Sequence, residues 1–148
     1  MKNFLDLPPI WLLGTLFASW VLGKLEPSLS FGAFGQWLGN LLIVLALVPL
    51  VWSVALFRRN QTPIEPYQQP RILLTEGPYK VSRNPIYLAF VVIALGFALR
   101  QGVVISLLPV PLLFVVLDRR FAAVEEVRLL ASFGAEAEAY IASTRRWL

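Results

Sequence analysis

Between Phe31 and Phe57 the chain carries no charged residue, and Arg58 and Arg59 follow at once. A helix over that run outreaches the roughly 30 Å hydrocarbon core of a bilayer. An uncharged, mostly apolar stretch of this length predicts a membrane-spanning helix, and every other element must be arranged around it. Three more apolar runs accompany it, Pro9–Gly23, Pro85–Leu99 and Val103–Leu117. Trp11 and Trp20 lie near the two ends of the first, where amphipathic rings favour the membrane interface. The last two runs are separated only by Arg100, Gln101 and Gly102, a spacing that predicts a tight antiparallel hairpin. Each of these is only about 15 residues, or about 22 Å. Pro109 and Pro111 are expected to kink the fourth helix or to leave carbonyls free near its middle.

Composition agrees with lipid as part of the solvent. The chain has 148 residues, one domain's worth, with 57% apolar and 15% charged residues and a mean hydropathy of +0.68. The expected fold is all-α: a single polytopic membrane domain over residues 1–148 with about four transmembrane helices. The chain contains no cysteine and no histidine. Disulfides, thiolate nucleophiles, Cys/His metal sites and an imidazole base are therefore excluded, and no metal site is expected.

With four spans, Lys2, the loop cations Arg58, Arg59, Arg71, Lys80 and Arg83, and the tail cations Arg119, Arg120, Arg128, Arg145 and Arg146 fall on one side. Lys24 and Arg100 fall on the other. Eleven of the 13 cations on one side predict cytoplasmic termini by the positive-inside rule. The bacterial expectation is the inner (plasma) membrane. The net charge of +4 is explained by this placement and by attraction to membrane lipids, with no nucleic-acid partner implied.

Two polar segments are large enough to build a site on the cytoplasmic side: the loop 58–84 and the tail 118–148. Pro63, Pro66 and Pro70 predict that the loop begins extended. In the tail, Val124, Val127, Leu130, Phe133, Ala137 and Tyr140 recur every three or four residues, which predicts an amphipathic helix bent or divided at Gly134. Such a helix can lie on the membrane or fold over the loop to enclose a ligand. The stretch Leu73–Tyr87 concentrates a Gly77-Pro78 turn, Tyr79, Lys80, Arg83 and Tyr87 directly before and into an apolar run, and marks the candidate site.

Leu73, Leu74, Gly77 and Tyr79, then Arg83, Asn84, Pro85 and Tyr87, then the apolar hairpin, then Glu125, Glu126, Leu129, Phe133, Gly134, Glu136 and Tyr140 form three ordered pieces. From about Thr62 to Tyr140 the chain resembles the isoprenylcysteine carboxyl methyltransferase and phospholipid methyltransferase-like family of integral membrane methyltransferases. The resemblance implies S-adenosylmethionine as methyl donor, held by the loop and the tail. It places Arg71, Ile72, Leu73, Leu74, Gly77, Tyr79, Asn84, Pro85, Ile86, Tyr87 and Glu125 at the cofactor, with Glu126 as the alternative to Glu125. It implies Arg83 and Glu126 as catalytic residues and Arg120 as a substrate residue. Asn84 stands where eukaryotic members carry histidine, and Arg71 also replaces a histidine; both departures concern the acceptor more than the donor.

Elementary chemistry allows the same reading. A glutamate suits the ammonium or sulfonium of the donor, Arg83 suits a carboxylate, and tyrosines stack on adenine or face a cation. The expected acceptor is a hydrophobic small molecule or lipid bearing a thiol, carboxylate or amine. The competing readings are a non-catalytic membrane adaptor or lipid-binding module on the same scaffold, and a small transporter. The lack of charges inside the apolar runs speaks against the transporter.

Overall fold

The computed structural model describes residues 6–25, 30–63 and 70–148; the expectations for Lys2 and Pro66 fall outside them. The described residues are all-helical, with no strand beyond one isolated bridge between Ser30 and Val103. Helices α1 (Pro8–Leu25), α2 (Gly32–Arg59) and α3 (Pro85–Arg100) form from the first three apolar runs. A 3-10 turn at Val104–Leu107 leads into α4 (Pro109–Val116), a π turn over Leu117–Ala122 and α5 (Ala123–Phe133), which run on without a break. Gly134 divides α5 from α6 (Ala135–Ser143), so the tail is two helices.

The two prolines of the fourth run do not kink a helix. Pro109 and Pro111 occupy the first turn of α4, behind the 3-10 turn. Amide hydrogens are unpaired in a first turn anyway, so the prolines cost little there.

Helix α2 is the membrane-spanning candidate by length and composition. A soluble core helix of this kind would be mostly buried, yet α2 exposes Phe34, Trp37, Val44, Val48, Val51 and Trp52. Water would penalise that surface by about 25 cal/mol per Å², and hydrocarbon does not. Trp37 and Trp52 lie about 22 Å apart along the axis, the disposition of interfacial aromatic rings. Exposed Leu13 and Phe17 on α1 and Leu108 and Leu112 around α4 continue the apolar surface. The chain is therefore membrane-associated.

Against α2 packs α3, and the contact is made by glycines. A Cβ at Gly96 would lie 2.7 Å from the Gly39 carbonyl oxygen and 2.9 Å from Ile43 Cγ1. The backbones approach as closely as small residues permit, which is how helices associate where no hydrophobic force drives them together. The core lies on the other flank of α3: Tyr87, Phe90, Ala94 and Ala98 meet Val110, Leu113, Leu117 and Phe121.

The bundle has two distinct ends. At one, Phe31 N–H donates to Gly102 O at 2.7 Å, and Gln101 lies beside Gly23; this end holds Lys24 and Arg100. At the other, the start of α1, the end of α2, the start of α3 and α5 surround one cavity. The described loop and tail cations come from the segments gathered there, a separation the sequence predicted.

Candidate functional site

The cavity has a volume of about 250 Å³ and mostly apolar walls. Pro70, Ile72, Leu73 and Leu74 form one wall, Asn84, Ile86, Tyr87 and Phe90 from α3 another, and Glu125, Arg128 and Leu129 from α5 a third. Leu7, Pro8 and Pro9 from the start of α1, Phe57 from the end of α2, and Tyr79 and Tyr140 complete it.

Local sequence explains how these side chains are held. Gly77 takes φ +56°, and a Cβ there would lie 2.9 Å from the Trp52 ring. Only glycine combines that backbone with that contact. The following 3-10 turn, Gly77–Lys80, buries Tyr79 edge-on against Phe57, ring centroids 6.0 Å apart. Tyr140 reaches over from α6 and donates its hydroxyl to the Tyr79 carbonyl at 2.7 Å. Pro85 opens α3 at a position where no amide hydrogen is needed, and Tyr87 faces the cavity two residues later. Upstream, Leu73 and Leu74 lie outside any helix, and their backbone makes no hydrogen bond to the described residues.

Among the described residues, Glu125 is the one carboxyl in the lining. Burial pushes its pKa up to about 7, against the hydrogen bond it accepts from the Tyr87 hydroxyl and the nearby Arg128 charge. Burial first, and the neighbouring Glu125 charge second, push the Tyr79 phenol above the ordinary tyrosine range, so it stays a neutral hydroxyl. The Tyr140 hydroxyl is pushed up to about 12, again by burial. Among the described residues the wall thus offers one acid that titrates near neutral pH, beside neutral phenols, two arginines and aliphatic groups.

Glu126, the next residue, is held elsewhere. Its Oε1 accepts from Arg83 Nε at 3.0 Å, Arg83 Nη2 at 2.7 Å and Arg146 Nε at 2.9 Å, and its Oε2 accepts from Arg146 Nη2 at 2.5 Å. Burial raises its pKa most, but the bonds and charges of the two arginines together outweigh that and hold it below the usual carboxylate range. Arg83 touches the cavity, yet its guanidinium is spent: Nη1 donates to Ile141 O at 2.7 Å and to Thr144 O. These are carbonyls at the end of α6, where positive charge is favoured. Arg83, which suits a ligand carboxylate by its chemistry, therefore keeps no free pair of donors for a two-point bond to one.

The other sequence-predicted residues divide cleanly. Ile72, Leu73, Leu74, Tyr79, Asn84, Ile86, Tyr87 and Glu125 line the cavity together. Gly77 and Pro85 shape the turns that carry it, and Arg71 is exposed with its amide on Thr62 Oγ1 at 3.1 Å. Arg120 is outside the lining and makes a two-point bond to Asp6, 2.7 and 2.9 Å. Sequence reasoning passed over Arg128, Phe57 and the Leu7–Pro9 segment as wall residues, because no local pattern connects the start of α1 with α5.

An all-helical, membrane-associated chain whose polar segments close over an aromatic and carboxyl-bearing cavity defines a class: small-molecule sites at the end of a membrane bundle. The chain belongs to the phospholipid methyltransferase family, whose model matches residues 34–136, and is a membrane methyltransferase by that membership. No curated protein and no solved structure matches it.

Proposed function

We propose that the protein spans the membrane four times with both termini cytoplasmic, and transfers a methyl group from S-adenosylmethionine to a hydrophobic or lipid-like acceptor. In a bacterial cell the inner membrane is the expected site. The observation that carries the proposal is the cavity wall itself: Glu125, Tyr79, Tyr87, Leu73 and Leu74 in one mostly apolar pocket at the polar end of the bundle.

The donor set fits that cofactor. Glu125 and the tyrosine rings suit a cation, Arg128 suits a carboxylate, and the Leu73–Leu74 backbone suits the edge of a base. S-adenosylmethionine supplies a methyl group on a sulfonium, an electrophile that needs an aligned nucleophile more than acid–base help. The chain's own work is positional: the apolar walls exclude water, and Tyr87 fixes the Glu125 carboxyl by its hydrogen bond. With an amine acceptor, the ionised Glu125 carboxylate takes the released proton and passes it to solvent; a thiolate or carboxylate acceptor needs no such step. Leu7–Pro9 and Phe57 give the cavity an apolar flank at the membrane end, suited to a lipophilic acceptor.

Titration calorimetry of purified protein with S-adenosylmethionine tests the reading. Micromolar binding weakened at least tenfold (about 1.4 kcal/mol) in Glu125→Ala supports it. Folded wild-type protein that does not bind refutes it.

A further inference from the structure

Residues 144–147 lie beyond the family-matched segment 34–136, yet several hydrogen bonds tie them to the segments that carry the site. The Arg145 carbonyl accepts from Arg83 N–H at 2.9 Å. The Arg146 carbonyl accepts from Ser82 Oγ at 3.2 Å and Asn84 Nδ2 at 3.0 Å. The Arg146 guanidinium joins Glu126 on α5 to Asp118, whose Oδ1 lies 3.3 Å from Nη1. Trp147 adds its indole N–H to Asp118 at 2.9 Å and packs on Phe114, ring centroids 4.7 Å apart.

Asp118 and Glu126 stand on either side of most of the π turn Leu117–Ala122. Each residue of an α-helix advances the side-chain direction by roughly 100°. The wider π turn therefore sets which face of α5 is presented to the cavity, and such turns are frequent at functional sites. An arginine that grips both sides of the turn holds that phase.

We propose that Arg146 is a positioning residue: its grip on Asp118 and Glu126 fixes the rotation of α5 and so holds Glu125 against Tyr87 in the cavity wall. Arg146 does not line the cavity and acts through its partners. The bond of Tyr87 to Glu125 needs α3 and α5 in one relative rotation, and the strap 144–147 bonds to both the entry of α3 and the turn before α5.

The inference rests on the proposed cofactor site, and two measurements separate the failures. The first is S-adenosylmethionine affinity by calorimetry in wild type, Arg146→Ala and Arg146→Lys, with folding checked by thermal melting. The expected result is at least tenfold weaker binding in Arg146→Ala and a three- to tenfold loss in Arg146→Lys, which keeps the charge but not the two-sided grip. The second is hydrogen exchange without any ligand: faster exchange in 123–128 and at the start of α3 in Arg146→Lys, with α1 and α2 unchanged. Wild-type affinity and wild-type exchange in folded Arg146→Lys overturn the proposal, whether or not Arg146→Ala folds. If wild type binds no S-adenosylmethionine, the cofactor reading falls, and the exchange result alone decides the role of Arg146.

Discussion

Glu125 and Glu126 are consecutive in the chain and have opposite electrostatic settings. Glu125 accepts one hydrogen bond, from Tyr87, and burial raises its pKa to about 7. Glu126 sits between the guanidiniums of Arg83 and Arg146, which hold its pKa low. Neighbouring residues of a helix point roughly 100° apart, so one faces the cavity and the other faces the ionic layer behind it. Carboxylates with pKa values pushed apart in this way divide their roles.

The first expectation concerns pH and donor binding. A cationic ligand prefers ionised Glu125, so affinity should rise with pH, by about tenfold per unit at most, until about 7, and then level off. Glu125→Gln should be weak and flat with pH across that window. Calorimetry between pH 5.5 and 8.5 reads both.

Stability carries the opposite signs at the two positions. Folding raises the Glu125 pKa from 4.5 to about 7, so the folded chain holds a proton that the unfolded chain releases, and stability falls as pH rises through that window. Glu126, with its pKa lowered from 4.5, adds stability that is present above 4.5 and is lost as pH falls through the folded value. Thermal melting in detergent should show Glu125→Gln removing the first slope and Glu126→Gln the second.

Arg83 and Glu126 have side chains only 10% and 14% exposed. Removing one partner of so buried a pair strands the other, and Glu126→Ala strands Arg83 and leaves Arg146 with Asp118 alone. A loss of about 3 kcal/mol is expected. By contrast Arg120, with its side chain 55% exposed, should cost at most about 1 kcal/mol as Arg120→Ala, and should leave donor affinity within about twofold. The substrate role that the resemblance implies for Arg120 is read separately, as a raised acceptor KM in Arg120→Ala.

The α2–α3 seam gives a prediction independent of the site. Gly96→Ala forces a methyl to within 2.7 Å of the Gly39 carbonyl oxygen, a backbone atom that cannot move aside. Overpacking of this kind costs about 1–3 kcal/mol. Gly14→Ala, where a Cβ meets nothing within 4 Å, should be neutral or slightly stabilising, since alanine favours helix. Melting temperatures of the two variants compare them directly.

Much of this protein is written in local pattern. The apolar runs became α1, α2 and α3 because a lipid-solvated backbone must satisfy its own hydrogen bonds, and a continuous apolar helix is the simplest way to do so. The segregation of the described cations followed from the same runs, since each run carries the chain to the other end of the bundle. The Gly77-Pro78 turn and the Pro85 start were legible because glycine and proline constrain their own backbone. Tertiary structure decided what depended on distant partners. Pro109 and Pro111 read as kinks along the chain, but only the 3-10 turn before them placed them harmlessly in a first turn. Glu125 and Glu126 are indistinguishable in sequence, and the π turn together with Arg83 and Arg146 assigned one to the cavity and the other to the ionic layer. Arg83 looked like a ligand clamp until the carbonyls of Ile141 and Thr144 arrived from α6. A side chain's charge is set by its covalent structure, but its availability depends on which groups folding brings within 3 Å of it, and those lie dozens of residues away.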